Sequence, residues 1–573
     1  MTGNTAPRQF NDGKMQRLSL EVEPRVRRIE NRAEGYKLPA RCGYLVCFPV
    51  RSRNARKEPK LSDTPSVILI GIDAAEIDVL DRLVSEGRLP NLAKLREQGR
   101  CGRLRTEPPH FLSLVWSTFF CSSRLGEQGW YFNKIWDPDR QCLQYLDPAW
   151  LPVDPFWLSL DSSYRVAIMD LPYVASLPTG PNITLLNGWQ CHDDFGRRDF
   201  PSGLWTELTA RHGKPRMTAE VFGPQSARTL LAQREEVLNA NRQFADICGD
   251  LLTRKRFDLF LGVFGAVHRG SHYLWDLSQI EASELDGKTR AILERSLEDC
   301  YTSADEALGR VLDAAAPDAR VIVFGLHGMG PNDGWYEVLP RLLEHIHGGG
   351  RSAAPKRGML FRLKQALPWT LVRQVTRRIP TAWNKALIPL WSRRMYDWPN
   401  TRYFALPMDY NGYVRLNLRG REKHGSLDPR DADRVIADLE AALCSFRDVE
   451  TGKPVIRGTI KVDELVSPSA PRRRFLPDLV VLWDPPHPVW ESSGLISDRF
   501  GEIRWPKGRK LASGRSGNHT SHGWFVARGP GIHPGPSART YDTADLIPTV
   551  FEWLGAPQPS HFAGRPIDEL LSD

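Results

Sequence analysis

Short apolar runs that alternate with helical patterns are the feature that most restricts how this chain folds. The apolar runs lie at 67–73, 165–169, 258–264 and 320–324, and the helical patterns at 76–99, 225–254 and 286–314. Strands that alternate with helices form a parallel sheet covered by helices on both faces. The sequence therefore predicts an α/β fold, with its chemistry at the carboxyl ends of the strands.

The alternation is interrupted once, which predicts an inserted domain. Residues 346–474 combine helical segments with short strand patterns, so we interpret them as an α+β cap. The core then consists of residues 65–345 and 475–573, and the α/β pattern resumes with an apolar run at 478–482. Residues 1–64 show no sustained period and predict a basic, mostly disordered arm.

The net charge of +9 is concentrated in two segments. Residues 1–64 carry 14 Lys and Arg against 7 Asp and Glu, and residues 351–396 carry 11 against none. The rest of the chain is acidic as a result, which argues against a nucleic-acid-coating surface.

The second basic segment has two interpretations. Apolar residues recur there at helical spacing, between arginines and lysines: Leu360, Leu363, Leu367, Leu371, Val375 and Ile379. With Trp369, Trp383 and Trp391, residues 351–396 form a basic amphipathic segment that fits an anionic membrane surface. Alternatively, its leucines pack on the cap and its arginines are solvated, which is the interpretation we favour.

The cellular setting is predicted from what the sequence lacks. No apolar run approaches the ~20 residues that span a bilayer, and residues 1–11 are polar. The nine cysteines contain no CxxC pair and fit reduced thiols better than a disulfide framework. These features predict a cytoplasmic protein, with peripheral membrane contact as the alternative.

Histidines and one aspartate follow the predicted strands. Asp73 ends the first run, His268 and His272 follow the third at i,i+4 spacing, and His327 follows the fourth. His519 lies in a glycine-rich loop before another apolar run. A strand-end aspartate often caps a helix, and a lone histidine is often a hydrogen-bonded scaffold residue. Five such residues at strand ends instead predict a metal site.

These residues belong to a series of short blocks between about Ser66 and Leu571. The blocks are Gly71-Ile72-Asp73, Leu89-Pro90-Asn91-Leu92, Trp116-Ser117-Thr118, Gly126-Glu127-Gln128-Gly129, His272 with Trp275, His327-Gly328-Met329-Gly330, Asn417-Leu418-Arg419-Gly420-Arg421-Glu422, Pro477-Asp478-Leu479, His519 with Gly523, and Asp545-Leu546-Ile547-Pro548-Thr549. In their order and spacing the chain resembles the type I phosphodiesterase/nucleotide pyrophosphatase branch of the alkaline phosphatase superfamily. The resemblance implies a three-layer α/β/α fold of the alkaline phosphatase kind.

The resemblance also implies a pair of metal ions, usually zinc, that splits phosphate esters with a Ser or Thr nucleophile. Asp73 and His327 match the ligands of the metal that activates the nucleophile, and His272 and His519 match those of the other metal. One ion lowers the pKa of the nucleophile, and the other binds a phosphoryl oxygen.

Two positions depart from the family pattern. His268 replaces an aspartate four residues before His272, and Leu326 replaces the aspartate before His327. Imidazole is a good zinc ligand, so a three-histidine site remains, whereas leucine cannot bind a metal. We therefore expect a divalent metal, zinc, with one ion per chain favoured over two.

The nucleophile is less clearly marked. Alignment without gaps places it on Leu112, and a slip of one residue restores Ser113. Ser113 is the working nucleophile, and its alternative is a plain loop serine. Ser117 and Thr118 lie nearby, at positions that the family uses for helix packing.

Together these features predict metal-dependent hydrolysis of a phosphate ester, more specifically a phosphodiester or a pyrophosphate. The loss of the aspartate at Leu326 favours one alternative, a non-catalytic or repurposed relative with one retained metal site. A third alternative is a transferase that passes a phosphoryl-linked head group to an acceptor other than water.

Overall fold

The computed structural model of the chain describes residues 66–146, 150, 154–174, 180–190, 196–217, 220, 222–349, 381–408 and 410–571. All of these residues belong to one compact unit. The predicted basic arm at 1–64 and the amphipathic pattern at 360–379 lie outside the described residues.

The strands and helices follow in chain order. The strands are β1 (Val67–Ile72), β2 (Arg100–Arg105), β3 (Lys134–Asp137), β4 (Cys142–Tyr145), β5 (Val166–Met169), β6 (Ile183–Asn187), β7 (Arg198–Phe200), β8 (Leu259–Phe264), β9 (Arg320–Gly325), β10 (Gly328–Pro331), β11 (Tyr403–Leu406), β12 (Gly412–Leu416), β13 (Arg447–Asp448), β14 (Ile456–Lys461), β15 (Leu479–Trp483), β16 (Gly494–Ser497), β17 (Gly501–Arg504), β18 (Gly517–Thr520), β19 (Gly523–Arg528) and β20 (Gly535–Asp542). The α-helices are α1 (Ile77–Ser85), α2 (Pro90–Gln98), α3 (Val115–Cys121), α4 (Leu125–Gln128), α5 (Leu204–His212), α6 (Ala227–Arg254), α7 (Ala266–Tyr273), α8 (Gly287–Glu294), α9 (Ser296–Asp313), α10 (Leu339–His347), α11 (Thr381–Ser392), α12 (Ala432–Cys444), α13 (Val462–Leu465) and α14 (Leu546–Leu554).

The largest sheet in the described residues has the strand order β20-β2-β19-β9-β1-β8-β5-β6-β7. Strands β9, β1, β8, β5 and β6 run parallel, whereas β19 and β7 are antiparallel to their neighbours. Val67 and Leu69 of β1 pack towards α3 and α14, and Ile68 and Ile70 pack towards α1, α2, α6 and α9. The sheet is thus covered by helices on both faces, and the predicted α/β fold is confirmed.

A second, antiparallel sheet forms much of the inserted region. Its strand order is β11-β12-β15-β14, and α10 and α12 pack against it. The apolar run at 478–482, which we predicted to rejoin the core, forms β15 of this second sheet, so that prediction was wrong. An apolar β-branched run indicates burial but carries no information about its partners. The chain re-enters the large sheet at β19.

Two further observations concern the predicted cellular location. Within the described ranges, no helix combines the length and the apolar character that a membrane crossing requires. None of the six cysteines in the same ranges forms a disulfide bond. The cytoplasmic location and the membrane-surface alternative for residues 351–396 both stay predictions.

Candidate metal centre

Three neighbouring strands deliver four of the predicted site residues to one edge of the large sheet. β1 lies between β8 and β9 and is parallel to both. Asp73 follows β1, and its backbone N–H donates to Phe264 O at the end of β8 over 3.1 Å. His268 and His272 lie on α7, which begins after a single residue beyond the end of β8. His327 lies two residues beyond the end of β9.

His519 reaches the same edge from an antiparallel connection. It lies on β18, where it pairs with Met329 of β10, and β19 then begins opposite the end of β9. Its ring centroid is 5.0 Å from that of His268, 4.8 Å from that of His272 and 4.9 Å from that of His327. The structure therefore brings together all five residues that the sequence singled out as metal ligands.

Hydrogen bonds fix the tautomers of two of these histidines. His268 Nδ1–H donates to Asp73 Oδ2 over 2.8 Å, and His272 Nδ1–H donates to Gly517 O over 3.0 Å. An ionised carboxylate and a backbone carbonyl only accept, so the proton of each neutral ring is on Nδ1. In the neutral form that metal binding requires, the Nε2 atom of each ring therefore carries a lone pair.

The two Nε2 atoms face each other, an arrangement that can hold a metal. His268 Nε2 and His272 Nε2 are 3.0 Å apart, so a cation is needed between them, either a proton shared as an N–H···N hydrogen bond or a metal ion that both nitrogens bind. Two nitrogen ligands ~2.1 Å from a tetrahedral ion are about 3.4 Å apart, close to the observed distance. The residues present therefore fit a zinc-like ion.

His519 completes the set of donors. One nitrogen from each of His268, His272 and His519 lies within 4.8 Å of the others. The Nδ1 atom of His519 is buried and has no hydrogen-bonding partner. Buried polar groups are normally paired, so an unpartnered ring nitrogen here is consistent with a ligand that binds at this position.

Burial keeps two of these imidazoles neutral. Desolvation, reinforced by the charge of Arg515, lowers the pKa of His272 well below 6.5. Desolvation and the neighbouring histidines, first His272 and then His327, lower the pKa of His519 in the same direction. Metal binding requires deprotonated imidazole, so both side chains are ready for it near neutral pH.

Asp73 is an ionised, buried carboxylate. Burial alone would raise its pKa, but the charge of His268, hydrogen bonds from His268 and His327, and the charge of His327 outweigh burial and lower the pKa below its usual value. His327 Nε2 lies 3.3 Å from Asp73 Oδ1, and the indole N–H of Trp116 donates to the same oxygen over 2.9 Å. The role of Trp116 was missed, because an apolar helix position gives no signal of a polar contact.

Ser113 lies in a short 3₁₀ helix, Leu112–Leu114, directly before α3, and its side chain is half-buried. Trp116, on the first turn of α3, contacts Asp73, so the start of this helix adjoins the carboxylate. The alternatives Ser117 and Thr118 are buried and bonded to the side chain of Gln128. Their hydroxyl groups therefore hold the helix rather than face a substrate.

One carboxylate near the site, that of Glu76, was not among the candidate ligands identified from the sequence. Glu76 is buried, accepts a hydrogen bond from Thr520 Oγ1 over 2.6 Å, and lies 3.1 Å from His522 Nδ1. A Cβ atom at Gly328 would lie 2.2 Å from Glu76 Oε2, so the glycine makes room for this carboxylate. Glu76, Asp78 and His522 form a second group of candidate ligands. The sequence feature that could have identified Glu76 is its place, as a carboxylate three residues after Asp73.

The lowered pKa of His272 makes the stability of the metal-free protein depend on pH. The unfolded chain protonates this group near the reference pKa of 6.5, whereas the folded protein does not. The unfolded state therefore binds more protons below that pH, so the stability is present above pH 6.5 and is lost on acidification. We expect the free energy of unfolding to fall from about pH 7 to about pH 5, by up to ~1.4 kcal/mol per pH unit for each such histidine. His272→Gln should flatten this fall in urea denaturation, and parallel pH profiles for variant and wild type would contradict the prediction.

Comparison with solved structures finds similar chains at low sequence identity. The phosphonoacetate hydrolase of Sinorhizobium meliloti 1021, in complex with phosphonoformate, is 14% identical, with 86% of this chain and 96% of that chain covered and a TM-score of 0.44. Human ectonucleotide pyrophosphatase/phosphodiesterase 5 is 12% identical, with 87% and 96% covered and a TM-score of 0.41. The inactive murine protein in complex with AMP has the same identity, coverage and TM-score.

The comparison with protein families is more decisive. No match is found among curated proteins. The model of the type I phosphodiesterase/nucleotide pyrophosphatase family, however, matches residues 67–494, which include most of the large sheet and four of the five predicted ligands. The resemblance noted in the sequence is thereby confirmed, together with the fold of the alkaline phosphatase kind. The chain belongs to the type I phosphodiesterase/nucleotide pyrophosphatase family of hydrolytic enzymes.

Proposed function

We propose that this enzyme hydrolyses a phosphodiester or pyrophosphate bond with one divalent metal ion, zinc, held by His268, His272 and His519. The observation that carries the proposal is the convergence of three imidazole nitrogens: His268 Nε2 and His272 Nε2 are 3.0 Å apart, and one nitrogen from each of the three histidines lies within 4.8 Å of the others. A metal bound there would polarise a phosphoryl oxygen and lower the pKa of a bound water towards ~7.

The surroundings of the second implied metal position, at Asp73 and His327, support a single ion. Leu326 is buried in the apolar core of the large sheet, where it offers no ligand atom. Of the predicted pair, His327 and Asp73 remain, and Asp73 already accepts hydrogen bonds on both oxygens. Two protein ligands, one of them engaged elsewhere, are too few for a tightly held zinc ion.

Charge balance supports a diester over a monoester. Three neutral imidazoles leave the charge of a divalent ion at +2, and the ionised Asp73 next to them reduces the local sum to +1. The charge of Arg515, which also acts on His272, is balanced by its ion pair with Glu220. A phosphodiester carries one negative charge, whereas a monoester carries up to two near neutral pH. The site therefore neutralises the diester more completely.

Metal titration of the stripped enzyme tests this function. We expect the chelator-treated protein to be inactive, and hydrolysis of bis-nitrophenyl phosphate to return with added zinc and reach a plateau at about one equivalent per chain. The monoester nitrophenyl phosphate should be the poorer substrate. His522→Ala is the matched control, because its exposed side chain belongs to the second ligand group, and the plateau should not change. A plateau at two equivalents would contradict the single-ion site, and no activity with zinc or manganese would favour the non-catalytic alternative.

A further inference from the structure

We propose that Asp73 acts as a positioning residue for His268 instead of binding a metal itself, an inference that rests on the proposed three-histidine site. The family pattern assigns the equivalent aspartate to a metal. Here Asp73 is almost fully buried, with 4% of its surface exposed. Its surroundings are protein hydrogen-bond donors rather than an open coordination position.

The oxygens of Asp73 are used by different donors. Oδ2 accepts from His268 Nδ1–H over 2.8 Å. Oδ1 accepts from the indole N–H of Trp116 over 2.9 Å and lies 3.3 Å from His327 Nε2. The indole is anchored in the core, since Trp116 packs against Phe119 and Phe324. The carboxylate is therefore held in one orientation that aims Oδ2 at His268.

The two departures from the family pattern are consistent with this role. A carboxylate at position 268 has no N–H to give to Asp73, whereas a histidine there donates from Nδ1 and still offers Nε2 on its opposite side. Leucine at position 326 removes the other carboxylate that would help to hold a metal at Asp73. With both changes, Asp73 has an N–H donor to accept from and has lost a co-ligand.

A carboxylate behind a metal-bound histidine has a known physical effect. It fixes the tautomer and the ring orientation, and it makes the ligating nitrogen more basic. His272 has an equivalent arrangement, with Gly517 O behind its Nδ1–H. Asp73 and Gly517 O thus hold the two rings so that both Nε2 atoms point to the same place.

Cobalt binding separates a positioning role from direct ligation. The stripped protein is titrated with Co²⁺, and the visible absorption reports the ligand set while its titration reports the affinity. We expect Asp73→Ala to weaken binding about 10- to 100-fold, with one ion per chain and unchanged band positions. Asp73→Asn should be intermediate, because its amide oxygen still accepts from Nδ1–H. His268→Ala, which removes a ligand, should weaken binding further and shift the bands.

Nuclear magnetic resonance of the zinc-loaded wild type provides a test that does not depend on a folded variant. With ¹⁵N-labelled histidine, His268 should show a protonated Nδ1 and a metal-bound Nε2. Band positions that shift in Asp73→Asn as they do in His268→Ala, or a second ion lost on Asp73 substitution, would overturn the positioning role alone. A wild-type protein that binds neither cobalt nor zinc would overturn the proposed function together with this inference.

Discussion

His272→Ala is expected to lower kcat/KM for bis-nitrophenyl phosphate by about 10³-fold or more, whereas Ser113→Ala should lower it less than about tenfold. In the proposed three-histidine site, His272→Ala would remove a ligand and with it the metal, and metal stabilisation of a transition state amounts to several kcal/mol. His272 is buried, and its Nδ1–H is bonded to Gly517 O, which leaves Nε2 on the opposite side of the ring to act as the ligand.

The small effect of Ser113→Ala follows from the weakness of the second metal position. A serine hydroxyl needs a bound metal or a base to become an effective nucleophile near neutral pH. The group beside the start of α3 is the carboxylate of Asp73, which is already hydrogen-bonded to His268 and Trp116. A metal held by the three histidines would instead supply an activated water as the more effective nucleophile.

Steady-state kinetics on three variants check both effects. His533→Ala is the control for the loss of a histidine, since His533 is exposed in a loop after β19, and it should retain wild-type kinetics. Metal content is measured on the same samples, and His272→Ala should hold less zinc than wild type. Complete and equal loss of activity in His272→Ala and Ser113→Ala would show that a covalent mechanism through the serine operates instead.

Glu422→Leu is expected to destabilise the protein by about 3–5 kcal/mol. Glu422 is buried and accepts hydrogen bonds from Arg415 over 2.8 Å, Arg421 over 2.9 Å and the indole of Trp136 over 2.8 Å. Burial, together with the charge of Arg421, lowers the pKa of Arg415 to about 10. Removal of Glu422 leaves this guanidinium, which is also inaccessible to solvent, with less compensating negative charge.

Urea denaturation followed by circular dichroism measures this loss. The matched control is Arg434→Ala, because Arg434 pairs with Asp431 on the surface and exposed ion pairs contribute ~1 kcal/mol or less. Replacement of both partners, as in Arg415→Met with Glu422→Leu, should recover part of the loss, since it leaves neither charge unpaired. Equal shifts in the urea midpoint for Glu422→Leu and Arg434→Ala would contradict the prediction.

Local patterns in the sequence were enough to determine the class of fold and the region of the site. Strands such as β1 and β8 are buried on both faces, so they read as continuous apolar runs, which helical segments then separate. The ends of adjacent parallel strands meet at one edge, so Asp73, His268 and His327 were predicted to lie together before any contact was known.

Only the tertiary structure decided which segments pair across the chain. It also decided which atom of each side chain faces which partner. The run that forms β15 has the same local pattern as a core strand, and its pairing with β12 and β14 placed it in the second sheet. The tautomers of His268 and His272 depend on acceptors 195 and 245 positions away in the sequence. The periodicity of a sequence encodes burial and local conformation, whereas the hydrogen-bond partner of a ring nitrogen is set by packing between distant segments. For this reason the sequence identified the three histidines, while only the folded chain showed Asp73 behind His268 and both Nε2 atoms directed at one point.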